Sequence, residues 1–309
     1  MKRYELFPQM VEYDKMGFTF KPFVMFTNKV NYKSKYVNTD KYGIRHTNNP
    51  NMLLMKENYY EHNVFIGGST AFGVGASHDY TTIPSLLKER FINLGGRAYQ
   101  STQEYLHFMF HENLIPNINK VVIFSGLNNL IFHYLLNNQD SRFGSFYYND
   151  IYLDKMMNIS RKVWLKNLLF KKRRNKIVPD RQTVIDILER DLGWFSFRWG
   201  KRDLEIYYFM QPFANWVSKP FTKDEKELFQ ELDNTSKQWR VLSKEMDNDH
   251  EWYVGAIEGI CKKNNIKFMD LNIRPEINKS KECIFVDRIH LTDWGNKIVA
   301  GIIEEQIND

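Results

Sequence analysis

The amino-acid sequence predicts an α/β fold, a three-layer α/β/α sandwich with about five parallel strands. Two observations lead to this fold class. Short apolar runs alternate along the chain with segments of helical spacing, and the runs lack a polar face, as expected of strands covered on both sides. The composition also indicates a folded chain, because 43% of the 309 residues are hydrophobic and 15% are aromatic.

Five apolar runs are predicted as strands, at residues 62–66, 91–94, 121–124, 204–210 and 266–271. Turn or loop residues follow each of them. Parallel sheets bind ligands outside the carboxyl ends of their strands, because the loops that follow the strands gather at that edge. Functional residues are therefore expected directly after these runs.

Segments of helical spacing separate the runs. Ser101 and Glu104 have the spacing of a capping box, which predicts that a helix starts at Ser101. Thr81 or Thr82 is the predicted N-cap of the helix before it. The predicted helices cover residues 82–90, 101–113, 225–232, 249–263 and 293–307.

The chain is predicted to contain a main domain at residues 61–309 and an N-terminal extension at residues 1–60. The extension is expected to wrap around the main domain as short strands and loops. An insertion at about residues 137–203 separates the third and fourth strands, whose carboxyl ends border the predicted site. Because long inserted loops in compact domains are usually functional, the insertion is predicted to form a lid or a substrate wall.

The formal net charge of +6 comes partly from a basic run at residues 171–174. Such a run can bind nucleic acid or an anionic membrane, but a solvated loop is favoured, because no aromatic interleaving or nucleic-acid motif accompanies it. We expect no nucleic-acid partner. No apolar run approaches the roughly 18 residues that span a bilayer, and residues 1–20 lack the apolar core of a signal peptide. A cytoplasmic protein without a membrane span is predicted.

The two cysteines and two of the histidines are candidate metal ligands by residue type. Cys261 and Cys283 lack metal-type spacing; a disulfide between them stays open, although two thiols in a chain this long fit a reducing compartment. His107 and His111 stand four residues apart on a predicted helix, which is a zinc-ligand spacing. Since no glutamate follows His107 and no third ligand is evident, neither a metal nor a cofactor is predicted.

Ser69 is the first candidate for chemistry. It lies between the first predicted strand and a loop with glycines on either side, in Gly67-Gly68-Ser69-Thr70-Ala71-Phe72-Gly73. This position holds a hydroxyl at the carboxyl edge of the sheet, beside backbone N–H groups that can receive an anion. Glycine-rich turns also build phosphate sites, but the phosphate and dinucleotide fingerprints are absent from this segment.

Asp287 and His290 form the second candidate, in the segment Asp287-Arg288-Ile289-His290 before the last predicted helix. A serine hydroxyl is a poor nucleophile at neutral pH and needs a base. Histidine suits that task, and a carboxylate must fix its tautomer and stabilise the imidazolium. A histidine that caps or packs on its own loop is the alternative for His290.

Two further segments could bind a developing oxyanion. Asn128 follows the third strand in Ser125-Gly126-Leu127-Asn128-Asn129, and its side-chain amide could donate a hydrogen bond. The loop at residues 93–99 follows the second strand and could donate a backbone N–H. Ordinary turn residues are the alternative interpretation in both places.

The order and placement of these segments resemble the SGNH (GDSL-like) hydrolase family, over about residues 62–135 and 200–309. The resemblance is to members linked to bacterial polysaccharides. It implies a flavodoxin-like fold, Ser69 as nucleophile, His290 as base and Asp287 as its orienter. It also implies an oxyanion hole made by the N–H of Ser69, the N–H of Ala98 and the amide of Asn128.

Three departures from the family pattern stand out. Asn129 replaces the aspartate that usually follows the oxyanion asparagine. Ala98 occupies the usual oxyanion glycine, and at positive φ it would cost about 1–2 kcal/mol, so Gly96 is the alternative donor. The family's Gly-Asp-Ser-Leu motif is replaced here by Gly67-Gly68-Ser69-Thr70.

The sequence therefore predicts a serine-dependent hydrolase of small acyl esters, with an acetyl group on a carbohydrate as the favoured substrate. Its partner would be an acylated small molecule or glycan. The alternatives are a glycan O-acyltransferase with the same residues and a non-catalytic glycan- or nucleic-acid-binding relative. Gln211 is a candidate for the pocket lining, and four aromatic residues are candidates for stacking on sugar rings: Trp194, Trp199, Trp216 and Phe221.

Overall fold

A five-stranded parallel sheet forms the centre of the molecule. The computed structural model describes residues 1–48, 62–115, 117–135, 180–200 and 204–308. A two-stranded antiparallel hairpin, β1 and β2, precedes the central strands β3 to β7. The strands are β1 Phe18–Lys21, β2 Met25–Asn28, β3 His62–Gly67, β4 Phe91–Asn93, β5 Ile118–Ser125, β6 Glu205–Met210 and β7 Lys267–Asp270. All five predicted strands are confirmed, each to within a few residues.

The strand order is β4-β3-β5-β6-β7, and every neighbouring pair is parallel. Counted along the chain, the central strands thus lie in the order 2-1-3-4-5, which is the flavodoxin-like arrangement. The order reverses between β3 and β5. Ligands bind in the crevice at such a switch point, and β3 and β5 are the strands that lead into Ser69 and Asn128.

Side chains alternate between the two faces of the sheet. Val121 and Ile123 of β5 belong to one buried cluster, while Val122 and Phe124 belong to the other. The helices of the first face are Ser101–His111, Leu127–Leu135, Arg181–Trp199, Lys237–Met246 and His250–Lys263. The helices of the second face are Ser69–Phe72, Ile83–Leu86, Lys223–Thr235, Pro275–Asn278 and Asp293–Asn308. The three-layer α/β/α prediction is confirmed.

Several helix predictions need correction. The helix expected over residues 82–90 is a single turn, Ile83–Leu86, and the helix Lys237–Met246 was not predicted. The insertion contributes a core helix, Arg181–Trp199, so this part of it does not form a lid. The remainder of the predicted insertion, including the basic run at residues 171–174, falls outside the described residues.

The N-terminal extension contains two helices that the sequence did not predict, Lys2–Leu6 and Gln9–Lys15. Arg45 fastens the extension to the main domain. Its fully buried guanidinium pairs with Asp79 at 2.9 Å and donates to the Gly73 carbonyl at 2.7 Å. The extension thereby packs beside the short helix that begins at Ser69.

The predicted cap of the helix Ser101–His111 is wrong by one residue. Gln100 is the N-cap, and Gln103 completes the capping box. Glu104 instead lies buried and accepts a hydrogen bond from Ser125 Oγ at 2.6 Å. Burial, opposed by this bond, raises the pKa of Glu104 to about 8.

Replacing Glu104 with glutamine should therefore change how stability depends on pH. In the unfolded chain Glu104 ionises near pH 4.5, whereas the folded protein keeps it protonated up to about pH 8. The contribution of Glu104 to the free energy of unfolding is fully present below pH 4.5 and is lost as the pH rises to 8. The melting temperature of Glu104→Gln minus that of the wild type should therefore increase by about 4 °C between pH 5 and pH 8.5. A gap that stays constant with pH would contradict the assignment.

Candidate active site

Ser69 stands at the end of β3, directly after two glycines. Gly67 has a φ of +150°, and a Cβ atom there would lie 2.0 Å from the Phe124 carbonyl oxygen, so only glycine fits. The chain then turns into the helix Ser69–Phe72, and the Ser69 side chain remains half-buried at the carboxyl edge of the sheet. The strand and its glycines thus present the hydroxyl to solvent.

His290 and Asp287 lie beside Ser69 in one chain of hydrogen bonds. Ser69 Oγ is 2.8 Å from His290 Nε2, and His290 Nδ1 is 2.8 Å from Asp287 Oδ2. Asp287 Oδ1 also accepts the backbone N–H groups of Ile289 and His290, both at 2.9 Å. One carboxylate therefore fixes both the turn and the orientation of the imidazole ring.

The electrostatics of Asp287 define the tautomer of His290. Burial would raise the pKa of Asp287, but the charge of His290 and the hydrogen bonds that it donates hold this pKa well below its ordinary range. An ionised carboxylate can only accept, so in the neutral imidazole Nδ1 carries the proton. Nε2 is then the acceptor for the Ser69 hydroxyl, and the arrangement can remove its proton.

The two candidate donors of the loop after β4 differ in whether their N–H groups are already bonded. The Gly96 N–H donates to the Gly67 carbonyl at 2.9 Å, so it is committed to the fold. The Ala98 N–H has no acceptor among the described residues, and Ala98 lines the same cleft as Ser69. Ala98 has a φ of +60°, so the strain considered from the sequence is present.

Asn28 of the N-terminal extension holds this strained loop in place. Its Oδ1 accepts the Arg97 N–H at 3.1 Å, and its Nδ2 donates to the Gly95 carbonyl at 3.0 Å. The Arg97 guanidinium reaches back and donates to the Tyr13 carbonyl at 2.8 Å. Because surrounding contacts fix the loop on both sides, Ala98 can persist at a φ that L-residues rarely adopt.

Replacing Ala98 with glycine should stabilise the protein while keeping the backbone N–H. The relief of about 1–2 kcal/mol at positive φ exceeds the entropy that glycine adds to the unfolded chain. We expect a melting temperature about 1–3 °C higher. Ala256→Gly, within the helix His250–Lys263, is the matched control and should lower the melting temperature. A fall with Ala98→Gly would contradict the strain.

Asn128 is the second residue of the helix Leu127–Leu135, which follows β5, and its amide nitrogen has a defined direction. Nδ2 donates to the Tyr99 carbonyl at 2.7 Å, and since a carbonyl can only accept, the facing atom must be nitrogen. A Cβ atom at Gly68 would lie 2.6 Å from the same nitrogen. The Asn128 amide is therefore packed against the residue before Ser69, with its second N–H remaining for a ligand.

All five predicted site residues line one cleft of about 420 Å³: Ser69, Ala98, Asn128, Asp287 and His290. The helix Leu127–Leu135 forms an apolar wall, because Ile131, Phe132 and Leu135 share the face of Asn128. Trp239 and Leu232 add to the apolar lining.

The N-terminal extension supplies polar groups to the same cleft. Arg3 Nη2 donates to Asp14 Oδ1 at 3.1 Å, and Tyr4 Oη donates to Asp14 Oδ2 at 2.8 Å. Arg3 and Asp14 both line the cleft. No sequence pattern indicates Arg3, Asp14 or Trp239, because they come from segments far from the recognised motifs.

The aromatic residues predicted to form a sugar-stacking wall lie elsewhere. Trp199 and Trp216 are buried in the core, and Phe221 packs against the second cluster. Trp194 is 55% exposed but does not line the cleft. Gln211 is buried and does not line it either. The alternative of core packing therefore holds for three of the four aromatic residues.

The two histidines that are zinc-ligand candidates are bonded to backbone carbonyl groups. His107 and His111 are both buried, and Nδ1 of His111 bonds to the His107 carbonyl at 2.7 Å. Within the described residues no group of three or more His, Cys, Asp or Glu side chains could hold a metal ion. Cys261 and Cys283 are both free thiols, so the disulfide left open by the sequence is not formed.

The solved structures described below resemble this chain at low sequence identity. No family model and no curated protein matches the sequence. Among solved structures, the acetyl xylan esterase AlAXEase is 14% identical over 80% of this chain and 99% of its own, with a TM-score of 0.43. A lipase/acylhydrolase from Enterococcus faecalis is 15% identical over 80% and 95%, with a TM-score of 0.43. Est24, a carbohydrate acetylesterase from Sinorhizobium meliloti, is 10% identical over 81% and 99%, with a TM-score of 0.45.

At such distances these similarities do not bear on the chemistry, so function must be inferred from the residues of the site. Among the helices of the described residues, none combines the length and the hydropathy of a membrane span.

Proposed function

We propose that this protein is a serine-dependent acyl ester hydrolase of the SGNH type. One observation carries the proposal: the Ser69 hydroxyl, the His290 imidazole and the Asp287 carboxylate form a continuous hydrogen-bonded chain at the sheet's carboxyl edge. An intact chain of this kind argues against a decayed, non-catalytic site. A histidine that merely capped its own loop would not need to face the serine.

In the proposed mechanism Ser69 Oγ attacks the ester carbonyl while His290 Nε2 takes its proton. Asp287 stabilises the imidazolium that forms. The tetrahedral oxyanion accepts hydrogen bonds from the Ser69 N–H, the Ala98 N–H and Asn128 Nδ2. His290 then protonates the leaving alcohol, and the acyl group stays on Ser69. In the second half His290 activates a water molecule, which releases the acid and restores the serine.

For the substrate we propose a small acyl group, such as acetyl, on a carbohydrate. The cleft combines the partly buried Trp239 ring with the polar pair Arg3 and Asp14. An aromatic face can cover a sugar ring, while a guanidinium donates to its hydroxyls and a carboxylate accepts from them. Trp239 thus takes the role that the sequence assigned to other aromatic residues.

The Trp239→Ala variant tests this assignment with two substrates. We expect KM for an acetylated xylo- or manno-oligosaccharide to rise about tenfold, while hydrolysis of p-nitrophenyl acetate, which lacks the sugar, stays near wild type. Trp194→Ala is the matched control, because Trp194 is exposed outside the cleft. If Trp239→Ala instead impairs p-nitrophenyl octanoate selectively, the apolar wall binds the acyl chain and the sugar assignment is wrong.

The same assay separates hydrolysis from acyl transfer. The proposed hydrolase releases free acetate from the acetylated sugar at a rate that an added glycan acceptor does not change. Acetate that appears on the acceptor instead of in solution would identify an O-acyltransferase.

A further inference from the structure

A buried chain of hydrogen bonds joins the segment that contains Asn128 to the helix Arg181–Trp199. Asn129, the residue after Asn128, accepts the Ser101 N–H through Oδ1 at 3.0 Å. Its Nδ2 donates to Ser101 Oγ at 2.8 Å. Ser101 Oγ in turn donates to Asp191 Oδ2 at 2.6 Å. Asp191 belongs to the helix Arg181–Trp199 and does not line the cleft.

In the wild type these bonds are all directed toward the carboxylate of Asp191. The Ser101 hydroxyl has one proton and already accepts from Asn129, so it must donate to Asp191. Thr102 Oγ1 accepts from Arg190 Nη2 at 2.7 Å and donates to Asp191 Oδ2, also at 2.7 Å. Arg190 Nε donates to Asp191 Oδ1 at 2.8 Å. Three donors therefore converge on a buried group that only accepts.

The chain reinforces a junction that the site already uses. Tyr99 and Ser101 flank the start of one helix, and Asn128 and Asn129 lie in the first turn of another. The Tyr99 carbonyl holds the Asn128 amide, while Ser101 holds Asn129 by bonds in both directions. The two segments are thus joined twice, once inside the cleft and once behind it.

We propose that Asp191 is a positioning residue for the oxyanion donor Asn128, acting through Ser101 and Asn129. The proposal rests on the hydrolase function proposed above. It also accounts for Asn129 at the position where the family pattern has an aspartate. The negative charge behind Asn128 comes instead from Asp191 of the helix Arg181–Trp199. Positions 129 and 191 should consequently be coupled, because the Ser101 hydroxyl accepts from the amide of Asn129 and donates its single proton to the carboxylate of Asp191.

An exchange of the two side chains tests this coupling. Asn129→Asp places two carboxylates on one hydroxyl proton, and Asp191→Asn turns an N–H toward groups that donate. Each variant should lower kcat for p-nitrophenyl acetate about tenfold or more with little change in KM, because an oxyanion donor acts in the transition state. The double variant Asn129→Asp/Asp191→Asn should return to within about threefold of wild type.

Controls separate positioning from a purely structural role. Asp186→Asn removes an exposed carboxylate from the same helix and should leave kcat unchanged. Ser101→Ala interrupts the chain but keeps the bonds from Thr102 and Arg190 to Asp191, so it should lower kcat even if Asp191→Asn does not fold. Melting temperatures are recorded for each variant.

Three outcomes would overturn the inference alone: Asp191→Asn or Ser101→Ala that is folded but has wild-type kcat, losses of kcat that simply multiply in the double variant, or losses explained entirely by KM. In each case a wild type that hydrolyses the ester, with Ser69→Ala inactive, would leave the proposed function standing. A wild type without ester hydrolysis would overturn both.

Discussion

Ser69→Ala is expected to lower ester hydrolysis by at least about 10⁴-fold and to abolish labelling by a fluorophosphonate probe. The variant removes Ser69 Oγ, the only atom that bonds covalently to the acyl group in the proposed mechanism. An alanine methyl fits the space left beside His290. The fold should be preserved, because the glycines before Ser69, and not its hydroxyl, shape the turn. Hydrolysis of p-nitrophenyl acetate and the labelling rate are the two measurements.

Ser236 offers a matched control for this experiment. It also lines the cleft, but its hydroxyl accepts the Trp239 N–H and is not bonded to His290. Ser236→Ala should therefore keep both activity and labelling. Labelling of Ser69→Ala at the wild-type rate would show that the nucleophile is another residue.

Asp287→Asn is expected to lower kcat by about 10⁴-fold although it changes few atoms. An asparagine can still accept the N–H groups of Ile289 and His290 through its oxygen, which preserves the turn. Its Nδ2, however, would donate to His290 Nδ1 and place the ring proton on Nε2. In that tautomer His290 cannot accept the proton of Ser69.

The measurement for Asp287→Asn is steady-state hydrolysis together with the melting temperature. Asp233→Asn is the control, since Asp233 is a carboxylate that pairs with Arg288 and not with His290. A loss of activity accompanied by unfolding would point to the turn and not to the tautomer. Activity near the wild-type level would remove Asp287 from the mechanism.

The sheet was predictable because the relevant information is local. The composition of an apolar run such as that at residues 121–124 is enough to predict a buried strand, and turn residues mark the end of the strand. The grouping of Ser69, Asn128 and His290 followed from the rule that loops after parallel strands share an edge. Their catalytic roles remain predictions, which the hydrogen-bond geometry of the site supports.

The rest depended on contacts between segments far apart in the chain. Whether Gly96 or Ala98 offers its N–H is decided by the Gly67 carbonyl, which takes the N–H of Gly96. Trp199 and Trp239 are the same residue type, and only tertiary packing puts one in the core and the other in the cleft. The buried Glu104 resembled a helix cap because spacing alone cannot show which way a side chain points.

The bond between Ser69 and His290 joins residues 221 positions apart. Contacts of such high sequence separation require most of the chain to be in place before they can form, since loop-closure entropy must first be overcome. A nascent or truncated chain that ends before His290 would therefore contain the proposed nucleophile without its proposed base. Catalytic activity would then report on completion of the whole topology, and its recovery during refolding should lag behind the recovery of helical signal.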